Sequence, residues 1–531
     1  MKICAGREKL LTLTPSCPAM LNKFGIALDL FVSLQLLMTR YIAFFLILVA
    51  GAVGRAAEIH VAEPGGLPAV AHDPEGETAL TVTGNINAAD LFFIARNMPE
   101  LTELDLSGAV IEAYRGKKIE GRTSFSANMI PQHLMIGHKL RSLALPASAG
   151  LTVGAAAFAG NPLESLTIPA TVAEVGDGAF AGCGELRTLT VGARQIGAGA
   201  FAACPALESV TVAGDGTRLG DAAFAGDASL ATVTGSERVS AVGTGAFRGC
   251  SALGAFDFGP GLEVVGERAF SRSGLRSADL SGAAALDSVG AWAFAEAPAL
   301  TSVRLGSAAS VGEGIVFMCP ALESLTLSAA TDHMPAYACV HDRALIASDI
   351  IPEGTRIIGA HALHGLSAVT ELTIPASVTR IDERAMSGMT GLQTVTVASA
   401  TPASLGEAVW EDVDQSSVTL EVPRGASADY EAAAQWQDFR VNDAAAIDEL
   451  TAGATVPRVR GRFAGHELQI EAIEADMARI AIHDPAGVLL LALEPYDRNV
   501  SVDTDGLATR VYIIAVTLTD GNTVTLKLAR H

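Results

Sequence analysis

The sequence is short of aromatic residues, of paired cysteines, of positive charge and of long apolar runs, and each shortage removes a class of protein. Aromatics are 5% of the 531 residues while glycine numbers 53, a balance that tightly coiled repeats require. The seven cysteines include no C-x-x-C pair, which removes the usual zinc-binding reading, and no metal or other cofactor is expected. Lysine and arginine total 36 against 58 acidic residues, a net charge of −22. Such a surface argues against nucleic acid, whose phosphates demand a basic partner. The apolar run Tyr41 to Val53 holds thirteen residues, too few for the ~20 of a membrane-spanning helix.

What the chain does have is a phenylalanine on a fixed beat. Phe158, Phe180, Phe201, Phe224, Phe247, Phe270, Phe294 and Phe317 recur every 21 to 24 residues, within phrases such as Gly178-Ala179-Phe180-Ala181-Gly182-Cys183. Each is followed by Leu-x-x-Leu/Val-x-Leu/Val. This periodicity predicts a repeat solenoid, mainly β, of about 23 residues per coil. In Leu163 to Ile168 and its copies, apolar residues alternate with Thr, Ser or Arg, the pattern of a short strand with one buried face. A downstream Val-Gly pair, as at Val175-Gly176 and Val242-Gly243, is read as a turn that a Cβ would hinder. One coil cannot bury its own apolar side, so stacking must supply the core. The phenylalanines are accordingly read as an interior ladder rather than a ligand-stacking stripe, and Cys183, Cys204, Cys250 and Cys319 as small buried hydrophobes.

The beat resumes at Leu363 and Met386, and the stretch between, Asp332 to Ile351, reads as an irregular unit. It contains Cys339 and His341, a nucleophile and base in principle. No third orienting group is evident, so a hydrolase is only the minor alternative and the chain is expected not to be an enzyme. Asp503-Thr504-Asp505-Gly506 resembles a calcium loop but lacks the distal glutamate, and is read as a turn.

The N-terminus predicts export. Met38-Thr39-Arg40, the apolar run and Gly54-Arg55-Ala56-Ala57 have the order of a signal peptide. Residues 1–57 are therefore an upstream leader plus signal peptide, the signal being 38–57, with translation starting at Met1 or Met38; the competing reading is an uncleaved anchor from near Phe24. Next come an N-terminal cap and insertion (58–139), the solenoid (140–402), a C-terminal cap (403–442), a linker (443–465) and a small all-β sandwich (466–531). Within the caps, Asn87 is expected to N-cap a helix from Ala88 to Asn97. A helix from Ala426 to Phe439 is expected to carry Tyr430, Trp436 and Phe439 as a plug over the last coil.

The phrase from Ile168-Pro169 through Val191, repeated from Ile374-Pro375 through Val397, resembles the BspA-like leucine-rich repeat family of surface proteins, as do flanks such as Thr83 to Asp90 and Val422 to Ala426. The tail is similar to the sorting domains of the type IX secretion route: Ile482-His483-Asp484-Pro485-Ala486-Gly487 and Val511-Tyr512-Ile513-Ile514-Ala515-Val516 match, while Arg510 departs from the usual glycine. The resemblance implies a Bacteroidetes-type protein, secreted or displayed on the outer-membrane exterior, that mediates adhesion to an extracellular protein or glycan. Membrane contact is expected only through a surface anchor after export. A structural spacer of the envelope is the alternative. The family motif consists of core residues and transfers no site. On physical grounds binding would use the polar positions between strand hydrophobes: Glu164, Thr167, Arg187, Thr190, Glu208, Thr211, Arg304, Glu323 and Thr326. About twelve coils at ~4.8 Å each would extend some 50 to 60 Å, a macromolecular rather than small-molecule surface.

Overall fold

Each L-x-x-L-x-L phrase turns its apolar residues inward, and successive phrases pair in parallel: Leu189 lies between Leu166 and Val210, and Val191 between Ile168 and Val212. The structure is a computed structural model describing residues 55–328, 330–346, 350–443, 459–464, 467–472, 476–483, 489–504, 511–519 and 523–529. It divides into two compact units between residues 444 and 445. In the first, the Val-x-x-Val phrases form a second row of strands. Among the described residues this row is a nine-stranded parallel sheet from Met129–Ile130 to Ser310–Val311, then a four-stranded one from His333–Met334 to Ser404–Leu405. The architecture is thus a β-solenoid with little helix.

The glycine after most second strands opens the expected turn, as where Ala179 N donates to the Gly176 oxygen and Ala246 N to the Gly243 oxygen, and has a further reason. Gly176, Gly243 and Gly312 are not left-handed; a Cβ on Gly312 would stand 2.2 Å from the Ala291 nitrogen, and one on Gly243 would stand 2.6 Å from the Gly220 carbonyl carbon. Glycine is required because adjacent coils touch there, backbone to backbone.

Between the sheets, Phe158 through Phe294 stack as an interior ladder, with ring centroids 5.3–5.7 Å apart and planes within 13°. All are buried, and each contributes roughly 1.5–3 kcal/mol relative to an exposed ring. Phe317 does not belong to this ladder. Counting from Gly312 as other coils count from theirs, Val316 fills the rung and is fully buried, while Phe317 meets the edge of Trp292 at 5.1 Å. The offset explains why Cys319 follows Phe317 by two residues rather than three: it follows Val316 by three, like its counterparts. The next rungs are Cys339, Leu363, Met386 and Trp410, all buried. Within Asp332 to Ile351, residues 333–341 keep the repeat plan: His333–Met334 pairs with Ile357–Ile358, and the Cys339 and His341 nitrogens donate to the Ala362 and His364 oxygens.

The first row of strands is interrupted. It runs from Ser165–Ile168 to Thr232–Thr234 and restarts at Ser277–Asp279. Leu253 to Phe258 keeps the apolar pattern but is no strand, since the Asp257 nitrogen donates to Ser236 Oγ at 2.8 Å instead of to a ladder neighbour. Phe256 and Phe258 are buried against the edges of the ladder rings.

At the N-terminal end, parallel strands Arg55–Val61, Glu77–Ile86, Glu103–Ile111 and Ser142–Ala144 close the core. The helix spans Ala88–Asn97; Asn87 accepts from Ala89 N, and buried Asp90 accepts from the Asn87, Leu67 and Gly65 nitrogens. The export segment lies, through Gly54, outside the described residues. At the other end the expected long helix is only Ser427–Ala432, followed by turns and the strand Arg440–Asp443, which pairs with Thr419–Val422. Its plug is present: Tyr430 OH donates to the Ser399 oxygen, Trp436 Nε1 to the Ala403 oxygen, and Trp410 packs edge-on against Trp436.

The second unit has two antiparallel sheets. One joins Val459–Ala464, Glu467–Ala472 and Asn499–Asp503; the other joins Leu489–Leu493, Met477–His483, Val511–Leu518 and Thr523–Ala529. Their shared core includes Leu468, Ile470, Ile480, Ile482, Val502, Ile514 and Val516. The strand Val459–Ala464 falls within the stretch expected to be linker. The turns at Asp484 to Gly487 and Asp520 to Asn522, Arg510, and the second half of the calcium-like loop lie outside the described residues.

Candidate binding surface

Parallel register turns the polar residues of the strands into straight outward columns. Thr167, Thr190 and Thr211 are consecutive partners in one column, continued by Thr234, whose hydroxyl lies 3.1 Å from that of Thr211. Beside it, Arg187 N donates to the Glu164 oxygen and Glu208 N to the Arg187 oxygen, so these three form a second column. Arg187 pairs with Glu208 at 3.0 Å, and Arg141 bridges Glu164 and Glu185 at 2.9 Å each. The strand sheet thus brings six of the nine candidates together. Arg304 and Thr326 are partners in the following sheet, with Glu323 beside Thr301. Hydrogen bonds from Ser281, with a smaller contribution from Arg304, hold the Asp279 carboxyl below its usual range. The break at Phe256–Phe258 separates the two groups and opens a cleft of about 400 Å³ lined by Asp257, Ser277, Asp279 and Ser281.

Cys339 and His341 do not form a catalytic pair. The thiol is a ladder rung inside the core, and burial pushes it well above its ordinary value; a nucleophilic cysteine needs the opposite shift. His341 sits on the outer return turn, its ring against that of His364. The other cysteines among the described residues occupy the position three residues after a rung, where each thiol donates to the carbonyl of the preceding rung: Cys183 to Phe158, Cys204 to Phe180, Cys250 to Phe224 and Cys319 to Phe294, at 3.2–3.6 Å. Asn161, Asp227 and Asp342 fill the same position in other coils. Among the described residues no group of acidic, histidine and cysteine side chains has metal-site geometry, and no helix is long and apolar enough to cross a membrane.

One feature escaped the sequence reading. Every return segment between Phe158 and Trp410 holds two residues in the left-handed region, two before and two after its rung. In later coils these positions carry Trp292, Tyr337, His341 and His361. The signal was present as the glycines that occupy the same places in earlier phrases.

A family model described as the BspA type leucine rich repeat region matches residues 129–231, 151–276, 217–345 and 332–421, together more than half the chain. Among curated proteins none matches. Solved structures similar to this chain include a leucine-rich repeat protein from Bacteroides ovatus, at 17% identity over 72% of this chain and 86% of that one, TM-score 0.46. Another is a leucine rich cell surface protein from Faecalibacterium prausnitzii, at 22% identity over 54% and 86%, TM-score 0.28. A third is the pneumococcal vaccine antigen PcpA, at 14% identity over 67% and 76%, TM-score 0.28. With the repeat model spanning residues 129–421, the chain belongs to the BspA-type leucine-rich repeat family.

Proposed function

We propose that this protein is exported to the cell surface or medium and acts there as a non-catalytic adhesive module, engaging an extracellular protein or glycan through the strand columns. The observation that carries the reading is the register that aligns Thr167, Thr190 and Thr211 beside Glu164, Arg187 and Glu208. A flat array of alternating charge and hydroxyl offers direction and register to a partner of matching pattern. Export by a type IX route in a Bacteroidetes-type cell is supported by the signal-like segment Met38–Ala57 and by the tail motifs around Ile482 and Val511.

Two measurements test this. Fractionation of producing cells with intact-mass analysis is expected to find a surface or medium form beginning near Glu58 and lacking the tail; a full-length form in the cytoplasm or inner membrane overturns export. A triple variant, Glu164→Ala with Arg187→Ala and Glu208→Ala, is expected to lose at least tenfold in affinity for partners captured from a panel of matrix proteins, bacterial cells and polysaccharides. Unchanged capture by the variant overturns the strand-face assignment and favours a spacer role.

A further inference from the structure

The left-handed return positions divide the solenoid sharply. From Ala156 to Gly249 all ten are glycine or alanine; from Arg268 to Gly365 eight of ten are large, including Trp292 at φ 60°, Tyr337 at 58° and His361 at 56°. A bulky residue is disfavoured in this region because its Cβ crowds the backbone. The chain itself shows that the fold needs no such side chains there. Backbone strain retained at positions where glycine suffices is a pointer to function.

These residues build one surface. Tyr337 stacks on His361 in the next coil, centroids 5.0 Å apart and planes within 7°; Trp292 reaches over the intervening coil to lie 6.1 Å from Tyr337. The intervening residue is Gly314, where a Cβ would stand 2.3 Å from Trp292 Cε3, and Phe317 supports the indole edge-on. A bare bay and a displaced phenylalanine therefore seat the tryptophan. All four of these rings are half-buried, each at the surface. They span four successive coils, about 15 Å at ~4.8 Å per coil.

The arginines around the row are paired, and further carboxylates, Glu313 and Glu383, lie beside it. Arg268 sits 5.8 Å above Trp292 and pairs with Glu267; Arg272 pairs with Glu296 and Arg384 with Glu411. We propose that the return face from Trp292 to His361 is a binding platform for a neutral glycan chain. Flat rings match the C–H faces of pyranose units, while the paired guanidinium and carboxylate groups supply donors and acceptors for hydroxyls. An acidic polymer would need arginines not already paired with glutamates, and a protein anchor a deeper apolar pocket. This face is distinct from the strand columns, and the two assignments stand or fall separately.

The test uses native affinity electrophoresis of the full chain in gels containing hydroxyethylcellulose, laminarin, xyloglucan or galactomannan, with fluorescence titration alongside. Trp292 is the one half-exposed tryptophan of three, since Trp410 and Trp436 are 3% and 1% exposed, so a bound sugar should change its emission. At least one neutral polysaccharide is expected to retard the chain, with affinity falling at least tenfold in Trp292→Gly and in Tyr337→Gly and unchanged in Gly261→Ala, where the added methyl meets nothing within 4 Å. Glycine already stands in the equivalent positions at 178, 199 and 245, so these variants should fold, which circular dichroism checks. Retardation by none of the four, retardation that survives both glycine variants, or dependence on these rings only for an acidic polysaccharide or a protein ligand overturns the proposal.

Discussion

Asp227 Oδ1 accepts a hydrogen bond from the Cys204 nitrogen at 2.7 Å, while its second oxygen is buried without a partner. Asp342 does the same beneath Cys319, at 2.6 Å. Burial pushes both carboxyls up to about 8, against an ordinary value of 3.8. A protonated acid in this position has a donor to offer, as the thiols of neighbouring coils have.

The sign of the pH dependence follows. A folded-state value above the unfolded one means that the folded chain holds a proton the unfolded chain has lost. The resulting stability is whole below about pH 4, shrinks as pH rises by up to about 1.4 kcal/mol per pH unit for each group, and is gone above about pH 8. Asp227→Asn keeps the acceptor and adds a donor, as Asn161 does when its amide donates to the Met135 and Phe158 oxygens. The variant is expected to match the parent in urea midpoint near pH 4 and exceed it near pH 8, the difference in unfolding free energy reaching several kcal/mol. Equal midpoints at both pH values would refute the buried-acid reading.

Ladder membership predicts different penalties for two phenylalanines. Phe224→Ala removes a fully enclosed rung and should cost about 3–5 kcal/mol. Phe317→Ala removes a half-buried ring outside the ladder and should cost about 1 kcal/mol. Chemical denaturation of both variants decides; equal large losses would place Phe317 back inside.

Close contact between coils predicts that Gly312→Ala loses about 1–3 kcal/mol by overpacking, because the new methyl meets Ala291 backbone. Gly261→Ala, where nothing lies within 4 Å, should stay within about 0.5 kcal/mol of the parent. Thermal melts of the pair provide the comparison.

Cys183, Cys204, Cys250, Cys319 and Cys339 are buried free thiols, and burial raises each above its ordinary value. A thiol-reactive chromophore at pH 8 should label none of them in the folded chain and all after denaturation. Rapid labelling of Cys339 in native protein would restore a chemical role for it.

Exposed ion pairs such as Arg187–Glu208 contribute about 0–1 kcal/mol. Arg187→Ala should therefore leave the melting temperature nearly unchanged, which makes it a clean probe of binding. A large drop in melting temperature would disqualify it.

The amino-acid pattern by itself determined the coil length, the inward alternation of Leu163 to Ile168, the Asn87 cap and the β character of the tail, because each depends on residues close in sequence. Stacking decided the rest. Rungs are set by distance from the end of the second strand, not by residue type, so Val316 and Cys339, each five residues past it, stand in the ladder and Phe317 stands outside. The Asp257 strand was lost to a hydroxyl from Ser236 in the previous coil, a competitor that local pattern does not show. Trp292, Tyr337 and His361 lie 45 and 24 residues apart in the chain, each between two alanines just before its rung. Only the tertiary structure, by giving each coil the same two left-handed positions, brings their rings to one face.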